Sequence, residues 1–91
     1  MPLTNPEIRQ LKAKGQHLEP VVRVGKSGLT SSVVQATEAA LNSHELIKIR
    51  FNHDRDERKA LARQVVDATG AALIMQVGKV AVFYRSKPNS G

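Results

Sequence analysis

The chain has no cysteine and no tryptophan, and only two phenylalanines and one tyrosine among 91 residues. Without cysteine there are no disulfide staples and no thiolate metal site, a composition that fits a reducing cytoplasm. Three rings are too few for a broad base-stacking platform of the RRM or OB kind, so nucleic-acid contacts should rest on phosphate and sugar. No apolar run approaches membrane-spanning length, and Met1 to Pro6 carry no signal region, so a soluble, cytoplasmic chain with no membrane partner is expected. His17, His44 and His53 lack metal-ligand spacing, Glu45 and Asp54 are isolated acids, and Ser27 has no evident base partner. No catalytic constellation, metal or cofactor is therefore expected. Acids are scarce as well. Fourteen Lys and Arg face eight Asp and Glu, a net charge of +6. On so small a chain this favours an acidic partner, nucleic acid first, over a merely solvated basic surface.

The stretch Val21 to Thr30 is the one around which the chain is organised. Val21, Val22 and Val24 are β-branched and suit a short strand. Gly25-Lys26-Ser27-Gly28 then forms a loop with a cation at its tip, and Thr30 is a good N-cap for a following helix. Such a corner welcomes a phosphate, free or in a nucleic-acid backbone. A G-x-x-G is short, and an ordinary strand–helix turn would look the same. Gly25-Lys26-Ser27 also resembles the end of a nucleotide-binding P-loop. That motif requires glycine at position 20, where this chain has Pro20, so ATP or GTP binding through it is excluded.

Along the chain, a first helix is expected over Asn5–Lys14, opened by the capping box Thr4/Glu7 and the staple Leu3/Ile8, and stopped by Gly15. Its cations Arg9, Lys12 and Lys14 read equally as a solvated face or as an RNA-facing flank. Strand 1 is Val21–Val24, with Arg23 opposite Val22 and Val24. A second helix over Ser31–Ser43 carries the stripe Val33, Val34, Thr37, Ala40, Leu41, His44. Strand 2, Glu45–Phe51, alternates most clearly: Ile47, Ile49 and Phe51 face one way, Leu46, Lys48 and Arg50 the other. One face should pack under helices and the other stay basic and open, as an RNA surface or as simple charged solvent face. A third helix over Arg55–Thr69 is capped by Asp54 with Glu57, buries Leu61, Val65 and Ala68, and stops at Gly70. Its mixed-sign surface reads as solvated rather than as a binding patch. Strands Ala72–Val77 and Val80–Arg85 join through Gly78-Lys79, a II′-type turn. The run Leu73-Ile74-Met75 leaves the facing of this hairpin open. Residues 1–85 should form a single domain and 86–91 a disordered tail. The expected fold is α/β in the order α-β-α-β-α-β-β, a mixed four-stranded sheet with helices mainly on one face.

Taken in order, Leu18-x-Pro20-Val21-Val22, Gly25-Lys26-x-Gly28-Leu29-Thr30, His44-Glu45-Leu46-Ile47-Lys48, Thr69-Gly70-Ala71, Val77-Gly78-Lys79 and Tyr84-Arg85 resemble the bacterial YhbY-like proteins, stand-alone CRM domains (chloroplast RNA splicing and ribosome maturation). The resemblance spans about Leu11 to Arg85. It implies a fold like the C-terminal domain of translation initiation factor three, RNA binding through Gly25–Gly28, and a role with precursors of the large ribosomal subunit. Leu73 and Met75 stand where more polar residues are typical, which puts a hairpin contact in doubt. KH domains also use G-x-x-G, but between two helices, whereas this loop follows a strand.

The expected function is non-catalytic binding of RNA, in particular ribosomal RNA of large-subunit precursors. Gly25 and Gly28 would admit a backbone, Lys26 and Ser27 would contact phosphate, Arg23, Lys48 and Arg50 would extend the track, and Arg9 and Lys12 would flank it. The alternatives are a domain for phosphate or a small phosphorylated ligand, a double-stranded DNA binder, and a protein-interaction module.

Overall fold

The computed structural model describes residues 3–86. The elements are α1 (Asn5–Gln16), β1 (Val22–Val24), α2 (Ser31–His44), β2 (Leu46–Phe51), α3 (Arg55–Thr69), β3 (Ala72–Val77) and β4 (Val80–Tyr84). The order and type match the expectation from the sequence. The expected tail lies, Ser86 apart, outside the described residues. Expected strand ends that fall outside β1 and β4 are still bonded to β2 or to the residue before it. Val21 N donates to Lys48 O (3.0 Å) and Arg85 N to Glu45 O (3.0 Å).

Helix starts follow the sequence signals. Thr4 accepts from Glu7 N while the Glu7 carboxylate accepts from Thr4 N (3.1 Å), completing the capping box. Thr30 caps α2 through Val33 N, and Asp54 caps α3 through Glu57 N (2.9 Å). Both carboxyls are held below the usual carboxylate range. For Glu7 the cause is the Thr4 backbone N–H and then its hydroxyl; for Asp54 it is chiefly the Glu57 backbone N–H. Gly70 ends α3 with φ +73°. Helix α2 instead ends on Glu45 at φ +60°, an uncommon angle for a residue with a side chain.

The sheet order is β1-β2-β4-β3, with β1 parallel to β2 and the other pairs antiparallel. β4 is thus inserted between β2 and β3, which run in the same direction, as two β-α-β passages require. Val22, Val24, Ile47, Ile49, Phe51, Ala81 and Phe83 form one buried face, closed by Leu41 of α2 and Leu61, Ala62 and Val65 of α3. Phe51 and Phe83 meet edge to face at 6.4 Å.

Three expectations need correction. Gly15 does not stop α1. It lies within the helix, buried, and a Cβ there would sit 3.0 Å from both Cγ atoms of Val82. Glycine is used here for close approach, and its partner Val82 is on the face opposite the core of α2 and α3. Helix α1 therefore crosses the face that the alternation of β2 marked as open, touching β2, β3 and β4. Two of three helices share one face, but the third covers part of the other. Finally, Ala68 is exposed and Thr69 is buried in its place. The Thr69 hydroxyl donates to Val65 O (2.7 Å) and accepts from Ala71 N (3.2 Å), which satisfies it at the helix end.

The hairpin ambiguity also resolves. Leu73 pairs with Phe83 and Met75 with Val82, so Ile74 is an extra residue in a bulge. Buried Ile74 lies beside half-buried Met75, breaking the two-residue alternation. Gly78 at φ +55° and Lys79 form the two-residue turn.

Candidate nucleic-acid interface

The register strings residues into rows across the sheet. Arg23 stands beside Arg50, Arg50 beside Val80, and Val80 beside Val77. This row is on the face that α1 crosses, but beyond α1: Arg23, Arg50 and Val77 are exposed. Adjacent like charges repel, yet neither arginine is in an ion pair with another described residue; Arg50 Nε donates to Asn52 Oδ1 (3.1 Å). Lys48 lies one row further in, beside Val82, and is half-buried. It shares the rim of an apolar groove with Lys14, above Leu18, Val21 and Leu46. Such a stem packs on apolar surface while its ammonium reaches water.

The glycine loop follows β1 directly. Because β1 and β2 are parallel and Val24 stands beside Phe51, the loop 25–28 and the turn 52–54 leave the same end of the sheet. The β3–β4 turn joins them there, with Phe51 N donating to Lys79 O (2.7 Å). In open α/β sheets, ligands favour the carboxyl ends of parallel strands. Within the loop, Gly28 N donates to Gly25 O and Thr30 N to Gly28 O (both 3.0 Å). These bonds tie down the amides at the loop's end. The backbone N–H groups of Lys26 and Ser27, at its tip, have no partner among the described residues.

The two glycines differ. Gly28 has φ +71° and its missing Cβ would approach Leu61 at 3.6 Å. Gly25 has an ordinary φ, and nothing lies within 4 Å of where its Cβ would be. The fold requires glycine at 28 and leaves 25 unconstrained.

Arg23, Lys26, Ser27 and Arg50 are thus gathered at one end of the sheet, with Lys48 inward. Arg9 and Lys12 are not gathered with them. They are exposed on α1, whose first turn meets Ala72, Tyr84 and Arg85 at the other end. Several neighbours of the loop carry no signal in the sequence. Lys79, Asn52, His53 and Arg58 line one cleft with Lys26. His53 lies between the loop and α3, and both of its ring nitrogens are buried without a partner among the described residues. Its carbonyl accepts from Arg58 Nη1 (2.8 Å). The parallel pairing alone could have placed 52–54 beside 25–28; the position of Lys79 needed the insertion of β4. Among the described residues no group of three or more His, Asp or Glu is placed to hold a metal, and no helix is long and apolar enough to cross a membrane.

Comparison with known proteins identifies the family. The CRS1/YhbY (CRM) domain model matches residues 3–85. The chain belongs to the CRM domain family. A Pseudomonas aeruginosa relative named "probable RNA-binding protein" is 40% identical over 89 residues, covering 97% of this chain and 86% of its own. A Haemophilus influenzae relative named "RNA-binding protein" is 38% identical over 84 residues, covering 91% and 85%. A solution structure of a Staphylococcus aureus protein, described as a candidate RNA binder, superposes with a TM-score of 0.84 at 26% identity, over 99% of this chain and 95% of that one. This CRM chain thus has the mixed α/β fold of a solved relative.

Proposed function

We infer that this CRM domain is a non-catalytic RNA-binding protein, and that its ligand is ribosomal RNA of large-subunit precursors during assembly. The observation that carries RNA binding is the loop tip. Lys26 and Ser27 present backbone amides that have no partner among the described residues, beside an exposed row of Arg23 and Arg50 in which neither has an acid partner among them. The family and the names of the relatives support the same class of ligand. The ribosomal setting is the one associated with the bacterial members this sequence resembles.

In this reading the tip amides and the Ser27 hydroxyl donate to phosphate oxygens, and the Lys26 ammonium adds a charge-assisted contact. Gly25 lets the RNA backbone approach without a side chain between. Arg23 and Arg50 continue the track, Lys48 reaches it from the groove rim, and Arg9 and Lys12 are outer contacts for a longer RNA. About five phosphate contacts to single-stranded RNA correspond to a log–log salt slope of roughly −3.5.

Ultraviolet cross-linking in cells, followed by sequencing of the attached RNA, tests the assignment. Reads concentrated on a few segments of large-subunit RNA or its precursor are expected. Reads scattered over many transcripts would remove the ribosomal role and keep RNA binding. No attached RNA, with no binding in a direct titration, would overturn the function.

A further inference from the structure

The cations of α3 look like a solvated helix face when read from sequence, but their spacing and neighbours say otherwise. Arg55, Arg58 and Lys59 stand at i, i+3 and i+4, so they share one side of the helix. That side borders Gln76 and Gly78 of the hairpin in an open cleft. Arg58 also lines the neighbouring cleft with Lys26 and Lys79. The two clefts therefore join through Arg58, a half-buried residue whose guanidinium donates to the His53 carbonyl. Two carboxylates, Asp54 and Glu57, line the second cleft against three of these cations, Lys26, Arg58 and Lys79, while Arg55 and Lys59 of the five line the first cleft, which has no acid. Asp54 is already engaged as the helix cap. None of the five cations forms an ion pair with another described residue.

We propose that Arg55, Arg58, Lys59 and Lys79 form a second phosphate-binding surface that takes the RNA backbone leaving the glycine loop. The RNA would wrap around the end of the sheet, from the Arg23–Arg50 row over Lys26 and Lys79 to the flank of α3. This rests on the RNA-binding reading above and extends it to a part of the chain that the sequence signals did not mark. The ligand chemistry is a run of successive phosphates. A lone phosphate would engage the loop tip only.

The test is titration of a labelled oligouridine against four proteins: wild type, Arg55→Ala/Lys59→Ala/Lys79→Ala, Lys26→Ala, and Arg63→Ala. Arg58 is left in place because it supports the His53 turn. Arg63, exposed one turn beyond Lys59 and lining neither cleft, is the charge control. Circular dichroism checks each fold. The triple variant should lose affinity about tenfold at low salt, with a salt slope shallower by about 2, and Arg63→Ala should match wild type. If the triple variant binds like wild type while Lys26→Ala is weakened, the second surface is wrong and the loop interface stands. If Arg63→Ala loses as much affinity per charge removed as the triple variant, the effect is bulk charge and the proposal fails. If neither Lys26→Ala nor the triple variant changes affinity, the interface as a whole is misplaced.

Discussion

The two ends of the sheet use arginine in opposite ways. At the end formed by Leu46, Tyr84 and Ala72, Arg85 is held by three partners. It pairs with Glu38 of α2 (2.9 Å), and donates to Asn42 (3.0 Å) and to the Thr69 carbonyl at the end of α3 (2.7 Å). One side chain thus ties the last strand to two helices. At the other end, Arg23 and Arg50 stand side by side beneath the glycine loop, and among the described residues neither has an acid partner and the loop-tip amides have no acceptor. The first arrangement serves the fold. The second is tolerated by the fold and makes sense as half of an interface, because adjacent like charges become favourable only when an anion joins them.

This contrast can be broken by substitution. Arg85→Ala should cost the most stability, about 2 kcal/mol in urea unfolding, because it strands a helix-end carbonyl as well as Glu38. RNA affinity of the folded fraction should not change. Gly15→Ala should follow at about 1–2 kcal/mol, since the gain in helix propensity is outweighed by overlap with both methyls of Val82. Combined with Val82→Ala, its cost should largely disappear in a double-mutant cycle.

The glycine loop gives a sharper contrast. Gly28→Ala should destabilise by about 1 kcal/mol through its left-handed backbone alone. Gly25→Ala meets neither strain nor a neighbour, so its stability should be unchanged or slightly raised while RNA affinity falls. Equal loss of stability in both would remove the argument that position 25 is kept open for a ligand. The smallest effect is electrostatic. Glu7 and Asp54 have lowered carboxyl values in the folded state, so their caps contribute fully above the ordinary carboxylate range and lose that contribution as the pH falls below about 4. Thermal melts from neutral pH downward should therefore show a decline that Glu7→Gln and Asp54→Asn each reduce.

How much of this was legible beforehand depended on whether the determinant was local. Helix starts at Thr4, Thr30 and Asp54 are hydrogen bonds over three residues, and the sequence shows them. The alternation of β2 likewise reveals which of its residues are buried. What covers the other face does not follow from it, because α1 is seated by contacts with β2, β3 and β4 far along the chain, among them the close approach of Gly15 to Val82. The facing of β3 was hidden by a bulge that puts Ile74 outside the alternation. At the candidate site, the loop and the Arg23–Arg50 row follow from strand parity and parallel pairing. The start of α3 at Arg55 follows the 52–54 turn and so shares that end of the sheet, whereas the place of Lys79 needed the insertion of β4 between β2 and β3.

The measurement that bears most directly on the central claim is the salt dependence of RNA affinity for Arg23→Ala/Lys26→Ala, beside its unfolding curve. Unchanged or slightly improved stability, weaker binding, and a log–log slope shallower by about 1.4 are expected. A variant with wild-type affinity and wild-type slope would show that the unpaired end of the sheet is not where RNA binds.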